Sequence, residues 1–320
     1  MKYKKLPGVN EEVSALSIGT WAMGGANSAG GNYGEVDEQE SIRAIHTLID
    51  KGVNMVDLAP IYGEGEAEKL VGKALKGYRD KMLVVTKYGS YMNHFTGTSE
   101  RNCKYNSIIR ECDESLSRIG LDYIDFYLMH WPDTNTSIEE SMAAINELKK
   151  QGKIRYSGFS NATSEMIEEA EKYTPVSIVQ SQFSMVNRSN QQFMEELYSK
   201  NIGNMTYGSL GAGILTGTIR ELPKFDEKDF RLTFYPFFKE PMFSNVMKLL
   251  ESMDELSKKY NKTLAQIALN WSTQQSFLTT AICGIRNEEE AIENISAFDW
   301  TMSNDDQNYL SQLLDELNIK

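Results

Sequence analysis

Short runs rich in Val and Ile alternate with amphipathic, punctuated segments eight times along this chain, and that alternation leaves few folds open. The strand-like runs fall at 16–18, 53–56, 82–86, 124–129, 155–158, 176–179, 202–206 and 280–283. Most are apolar on both faces, as expected of a parallel sheet covered by helices. Between them lie segments with helical periodicity and helical start and stop signals. In 37–51, Asp37 and Glu40 have capping-box spacing, Ile42, Ile45 and Ile49 form one face, and Gly52 stops the helix. Ser137 with Glu140 and Ser189 with Gln192 repeat that spacing ahead of 137–151 and 189–200. Further helices are expected at 66–76, 102–119, 163–172, 264–276 and 288–297.

The economical architecture is one domain over residues 1–320, an α/β chain folded as a single (β/α)8 TIM barrel. A short N-terminal hairpin precedes the first strand, and an extra helix at 303–317 closes the chain. The long interruption after strand seven, which contains FDEKDFRLTFYPFFKEP, reads as an insertion at the barrel mouth. Its aromatics Phe234, Tyr235, Phe237 and Phe238 either line a pocket or anchor the insertion. Two loops flank the mouth. Residues 20–36 are rich in Gly, Asn and Ser with Trp21 at their base, and 88–101 carry Tyr91, His94 and Phe95 as a pocket wall or an ordinary surface loop.

Composition excludes several classes of function. A chain of 320 residues with 41% hydrophobic residues fills a substantial core. Its formal charge of -12, spread along the helices, argues against nucleic acid or an anionic membrane surface as partner. No secretory h-region and no apolar run of about 18 residues is present, so a soluble cytoplasmic protein is expected. Cys103, Cys112 and Cys283 show no CxxC spacing, and His46, His94 and His130 form no HExxH pair, so neither a disulfide framework nor a metal site is expected.

Active sites of such barrels lie at the C-terminal ends of the strands. Asp57 closes strand two and Tyr62 follows on the Gly-flanked loop of DLAPIYGEGEAE; Lys87 closes strand three and His130 strand four. Neighbouring strands bring these side chains together. A phenol donates a proton poorly at neutrality, an adjacent ammonium favours its phenolate, and a nearby carboxylate keeps that ammonium charged. With His130 to orient an oxygen, the set forms a general acid for a carbonyl oxygen that becomes negative.

The chain resembles the aldo-keto reductase family over essentially its whole length. DLAPIYGEGEAE, VVTKYG, YLMHWPD, GKIRYSGFSN, VQSQF, TYGSLGAGILTG and CGIRNEEEAIEN occur in family order. The resemblance implies an NADPH-linked oxidoreductase without a metal. In it Tyr62 is the acid or base, Lys87 and Asp57 tune it, and His130 positions the carbonyl. It also implies that Ser160, Asn161 and Gln180, at the ends of strands five and six, hold the nicotinamide carboxamide, and that Tyr207 stacks on the ring. Gly208, Ser209, Leu210, Gly211 and Gly213 would approach the pyrophosphate through backbone amides. Arg286 would meet the adenosine 2′-phosphate, with Glu290 and Asn294 near the adenine and Gly284 in the same cofactor set. Gly19, Thr20, Trp21 and Asp57 complete the cofactor set; Trp21, Tyr62, His130 and Trp131 form the substrate set.

Departures from the family pattern are Leu58 for a small hydroxyl residue, Ser209 and Cys283 for prolines, and Glu290 for an amide. A carboxylate at 290 near the ribose makes NADH the alternative to NADPH. The expected partner is a small carbonyl or sugar-like molecule; nothing in the sequence sets an oligomeric state. Competing readings are an NAD-dependent sugar or polyol dehydrogenase, a non-catalytic cofactor-sensing subunit, and a barrel glycosidase. The last lacks a carboxylate pair at strand ends beyond Asp57.

Overall fold

The fold was established from a computed structural model that describes residues 1–25, 36–224 and 231–320. An antiparallel hairpin, β1 (Tyr3–Lys5) and β2 (Glu12–Ser14), leads into the first barrel strand, β3 (Leu16–Gly19). The next strands are β4 (Met55–Asp57) and β5 (Leu83–Tyr88), followed by a second hairpin, β6 (Ser90–Asn93) and β7 (Thr98–Arg101). The series continues with β8 (Ile124–Met129), β9 (Ile154–Ser160), β10 (Ile178–Gln182), β11 (Gly203–Tyr207) and β12 (Thr280–Gly284). Eight of these strands pair in parallel in the order β3-β4-β5-β8-β9-β10-β11-β12, and β12 returns to β3 to close a (β/α)8 TIM barrel.

Two apolar layers hold the barrel. Inside it Met55, Val85, Phe126, Leu128, Ile178 and Met205 pack together, and Leu6, Val9 and Val13 of the N-terminal hairpin region join them as a plug. Outside it the helices bury one face each. They are α1 (Glu38–Asp50), α2 (Glu66–Ala74), α3 (Tyr105–Ile119), α4 (Ile138–Lys150), α5 (Ser164–Glu171) and α6 (Gln191–Ser199). After a single turn, α7 (Arg231–Phe234), come α8 (Met242–Tyr260), α9 (Leu264–Thr273), α10 (Glu288–Ile295) and the C-terminal α11 (Asn304–Glu316). None of the described helices is long and apolar enough to cross a membrane.

The caps explain most helix starts. Asp37 accepts from the Glu40 amide at 2.9 Å, and Ser137 from the Glu140 amide at 3.2 Å. The third expected box does not form: Asn190 is the N-cap of α6, and the Ser189 hydroxyl turns instead to Asn187 Oδ1 at 2.7 Å. A reciprocal box occurs at α9, where Thr263 and Gln266 exchange bonds of 3.1 and 3.3 Å. Most of the segment 88–101, expected as a loop, is the β6–β7 hairpin that starts at Ser90, while Tyr88 still belongs to β5. The Gly-rich stretch 26–35 and residues 225–230 of the expected insertion lie outside the described residues.

Much of that expected insertion is neither loop nor mouth. Its second half is the 19-residue α8, whose Phe243, Val246, Leu249, Leu250 and Met253 pack on the core. Tyr235, Phe237 and Phe238 are 5%, 1% and 2% exposed and join the same cluster as Phe183 and Trp271. The aromatics therefore anchor the segment rather than line a pocket; Phe234, at 47% exposure, is the exception. Phe237→Ala should lower unfolding stability by roughly 3–5 kcal/mol, the usual cost of emptying a buried phenyl site. Urea denaturation checks this, with KM expected to stay close to wild type.

Candidate active site

The strand register brings Asp57, Lys87 and His130 to one end of the barrel. Asp57 pairs with Val85 and Gly19, and Lys87 with Leu128, so all three lie at the C-terminal rim of adjacent strands. Lys87 is wholly buried, and an ammonium there requires partners. It donates to Asp57 Oδ1 at 2.7 Å, to the Leu58 carbonyl at 2.8 Å and to Tyr62 Oη at 3.2 Å. Asp57 is fixed from two more sides. Gln180 Nε2 donates to the same Oδ1 at 2.8 Å, and Thr20 Oγ1 donates to its main-chain carbonyl at 2.8 Å.

The loop that presents Tyr62 is held by backbone contact. A Cβ on Gly63 would lie 1.9 Å from the Gly24 carbonyl oxygen, and Gly63 has φ of 60°. Conversely, a Cβ on Gly24 would lie 2.6 Å from the Gly63 nitrogen and the Tyr62 carbonyl carbon. Two glycines thus let the turn after Trp21 press directly on the Tyr62 loop. The Trp21 ring centroid is 6.5 Å from that of Tyr62, and the His130 ring meets Tyr62 edge-on at 5.9 Å. Trp131 follows His130 at the rim. This Gly24–Gly63 contact was not singled out in the sequence, where both residues stand in ordinary Gly-rich turns.

Charge balance follows from burial. Burial, then the Asp57 carboxylate, holds the Tyr62 phenol well above its ordinary value. Lys87, expected to favour the phenolate, lies 2.7 Å from Asp57 Oδ1 and 3.2 Å from Tyr62 Oη. Burial lowers the Lys87 ammonium while Asp57 opposes it. His130 is driven well below the usual imidazole value, first by burial and then by Lys87 and Arg101, so it is neutral. Its Nδ1 is buried without a hydrogen-bond partner. The set can therefore offer a protonated phenol beside a neutral imidazole.

The remaining expected residues divide into two groups. Asn161 adopts φ of 56°, a conformation asparagine tolerates, and its amide bridges the His130 carbonyl at 3.1 Å and Tyr207 Oη at 2.8 Å. Ser160 ends β9 and Tyr207 ends β11, whereas Gln180 lies within β10, which ends at Gln182 rather than at the expected residue 179. Gly213 and Gly284 face open space. By contrast, Gly19 and Gly211 serve packing: a Cβ there would lie 2.7 Å from Ile282 and 2.5 Å from Val186. Ser209 Oγ donates to the Ile282 carbonyl at 2.9 Å, and Leu210 packs between two apolar clusters. The Gly211 and Gly213 amides are engaged by the Gly208 and Leu210 carbonyls, so these two do not wait for an anion. Gly208 has positive φ beside Gln182.

At the far end of this rim, a cavity of about 240 Å³ lies between the start of α1 and the end of β12. Asp37, Glu40, Ser41, Arg286 and Asn287 line it, with Ala22 and Val36. Glu290 takes hydrogen bonds from the Arg286 amide at 2.8 Å and from its guanidinium at 3.1 and 2.6 Å. Asn294, 4% exposed, is buried one turn further along α10. A larger groove of about 720 Å³ runs along α3 and α4, away from Tyr62 and Lys87.

Comparison with known proteins agrees with this geometry. The model of the Aldo/keto reductase family matches residues 15–315. Aldo-keto reductase YhdN of Bacillus subtilis strain 168 is 32% identical, over 98% of this chain and 94% of its own. The NADH-specific methylglyoxal reductase of Escherichia coli K12 is 32% identical, over 98% of this chain and 99% of its own. Among solved structures, the glycerol dehydrogenase AKR11B4 from Gluconobacter oxydans matches with a TM-score of 0.90 at 27% identity, covering 99% of this chain and 96% of that one. The chain belongs to the aldo/keto reductase family and is an oxidoreductase of the NAD(P)H-dependent kind that acts on carbonyl compounds.

Proposed function

We propose that this protein, acting as one unit over residues 1–320, reduces the carbonyl of a small aldehyde, ketone or sugar-like molecule to the alcohol, with Tyr62 as the proton donor. The observation that carries the reading is the buried Lys87 ammonium, 2.7 Å from Asp57 and 3.2 Å from the Tyr62 hydroxyl. When bound, a reduced nicotinamide supplies the hydride for the carbonyl carbon. Tyr62 then gives its proton to the carbonyl oxygen, Lys87 steadies the phenolate left behind, and Asp57 keeps Lys87 charged. His130, neutral, orients the same oxygen, and Trp21 and Trp131 flank the substrate.

The residues fit such a cofactor. Ser160, Asn161 and Gln180 offer amide and hydroxyl groups beside the tetrad, Tyr207 offers a ring, and Gly213 and Gly284 leave room at the rim. The cavity beside Arg286 suits the adenosine end. There the charge favours NADH over the NADPH expected from the sequence. Glu290 already engages the Arg286 guanidinium, and Asp37 and Glu40 line the same cavity, so a 2′-phosphate meets carboxylates as well as the arginine.

The oxidative direction, as in the glycerol dehydrogenase that this chain resembles, would need Tyr62 as a base. Burial and Asp57 keep the Tyr62 phenol protonated in the chain alone, the form from which reduction starts. The intact tetrad likewise favours an enzyme over a cofactor-sensing subunit.

Tyr62→Phe should lower kcat for aldehyde reduction by about 10²–10⁴-fold while cofactor affinity, read by fluorescence titration, stays near wild type. Retained turnover would overturn the assignment of the acid. Glu290→Gln should remove the Glu290 carboxylate from Arg286 and move the NADPH-to-NADH ratio of kcat/KM toward NADPH by about tenfold, the worth of one charge-assisted contact. An unchanged ratio would remove Glu290 from nucleotide selection.

A further inference from the structure

Among the described residues, Arg101 at the mouth has no ionic partner. Arg101, the last residue of β7, is exposed and places its guanidinium 5.1 Å from the Trp131 ring centroid. Its single side-chain hydrogen bond runs from Nη1 to the Pro132 carbonyl at 3.3 Å. Among the described residues no carboxylate lies within ion-pair distance of it, although the chain carries 45 acidic and 33 basic residues. The nearby acids are engaged elsewhere. Glu100 points to the other face of the hairpin and accepts from Tyr91 Oη and Asn93 Nδ2. Asp133 accepts from the Cys103 and Asn135 amides and from Thr136 Oγ1. Glu64 pairs with His94 at 3.2 Å, and Asp57 holds Lys87.

Arg101 also lies beside the chemistry. It stacks on the residue that follows His130 and bonds the next carbonyl, and its charge is felt at the His130 imidazole. Pairing of Arg101 with Ser90 in the β6–β7 ladder fixes the hairpin that carries it. The guanidinium keeps donors to spare after its bond to Pro132, and a planar fork of donors matches a carboxylate.

We propose that Arg101 recognises a carboxylate on the substrate, so that the preferred substrates are oxo acids rather than neutral carbonyl compounds. The proposal rests on the carbonyl-reductase reading above and names its substrate class. A single cation balances one negative charge, which suits a carboxylate better than a phosphate dianion approaching a chain of net charge -12. Two peptide units separate Pro132 from His130, at most about 7–8 Å of chain. Arg101 is thus anchored close along the chain to His130, and a short oxo acid serves as the probe.

The test compares 4-oxobutanoate with its methyl ester, using the wild type, Arg101→Gln and Arg101→Lys. It is paired with a tryptophan-emission titration by butanoate, which cannot be reduced. The wild type should favour the acid by about tenfold in kcat/KM, Arg101→Gln should bring the ratio close to one, and Arg101→Lys should keep part of it. Added salt should narrow the wild-type ratio. Butanoate should change emission saturably in the wild type and not in Arg101→Gln. A wild-type ratio near one, or an unchanged ratio in Arg101→Gln, overturns the proposal and leaves the reductase reading intact. Arg101-dependent butanoate binding without turnover of either aldehyde supports the anion site and overturns the reductase reading instead.

Discussion

A lysine with no exposed surface governs this structure. Removing an ammonium from water costs several kcal/mol unless it is paired and hydrogen-bonded, and Lys87 obtains both from Asp57, the Leu58 carbonyl and Tyr62. Each partner is then constrained in turn. Asp57 is clamped by Gln180 and, through its main chain, by Thr20, so strands on opposite sides of the barrel contribute to one carboxylate. Tyr62 reaches Lys87 only because Gly63 and Gly24 let two backbone segments touch.

The barrel wall beneath repeats the same economy of charge. Glu68, fully buried on α2, accepts from Thr86 Oγ1 at 2.7 Å and Arg118 Nε at 2.6 Å, fixing the strand residue next to Lys87. Asp125, at the start of β8, collects Arg79, Arg155 and the Val84 amide at the opposite end of the barrel. Glu111 accepts from the Gly89 amide just past β5 and so sets the departure of the β6–β7 hairpin that brings Arg101 to the mouth. Buried ion pairs of this kind contribute more to placement than to net stability. Rigid placement is what a proton donor requires, since a misplacement of about 1 Å can cost about 10²-fold in rate.

Much of this was legible in the sequence because it depends on local pattern. The alternation of apolar runs and capped helices predicted the barrel, and the strand-end positions of Asp57, Lys87 and His130 predicted their convergence. What escaped depends on contacts between distant segments. The aromatic run at 234–238 has no period that separates a pocket wall from a core, and only its packing against Phe183 and Trp271 assigned it. The hairpin at 90–101 is short and polar, so its pairing leaves no apolar alternation to read. The Ser189 box failed because Asn187 competes for the hydroxyl. The burial that holds the Tyr62 phenol up is likewise not expressed in spacing.

The central claim is that Tyr62 stands protonated in the folded chain, held beside a charged Lys87. It is tested most directly by titrating ring-labelled tyrosine in the protein by NMR, with the Tyr62 signal assigned by its loss in Tyr62→Phe. Reduction uses the protonated phenol, which persists below the folded-state pKa and disappears as pH rises through it. The account predicts a Tyr62 signal that stays at the neutral-phenol position from pH 6 past about 10, the ordinary phenol value. A signal that titrates toward phenolate near neutral pH would contradict it, and would make Lys87 rather than burial the dominant influence on Tyr62.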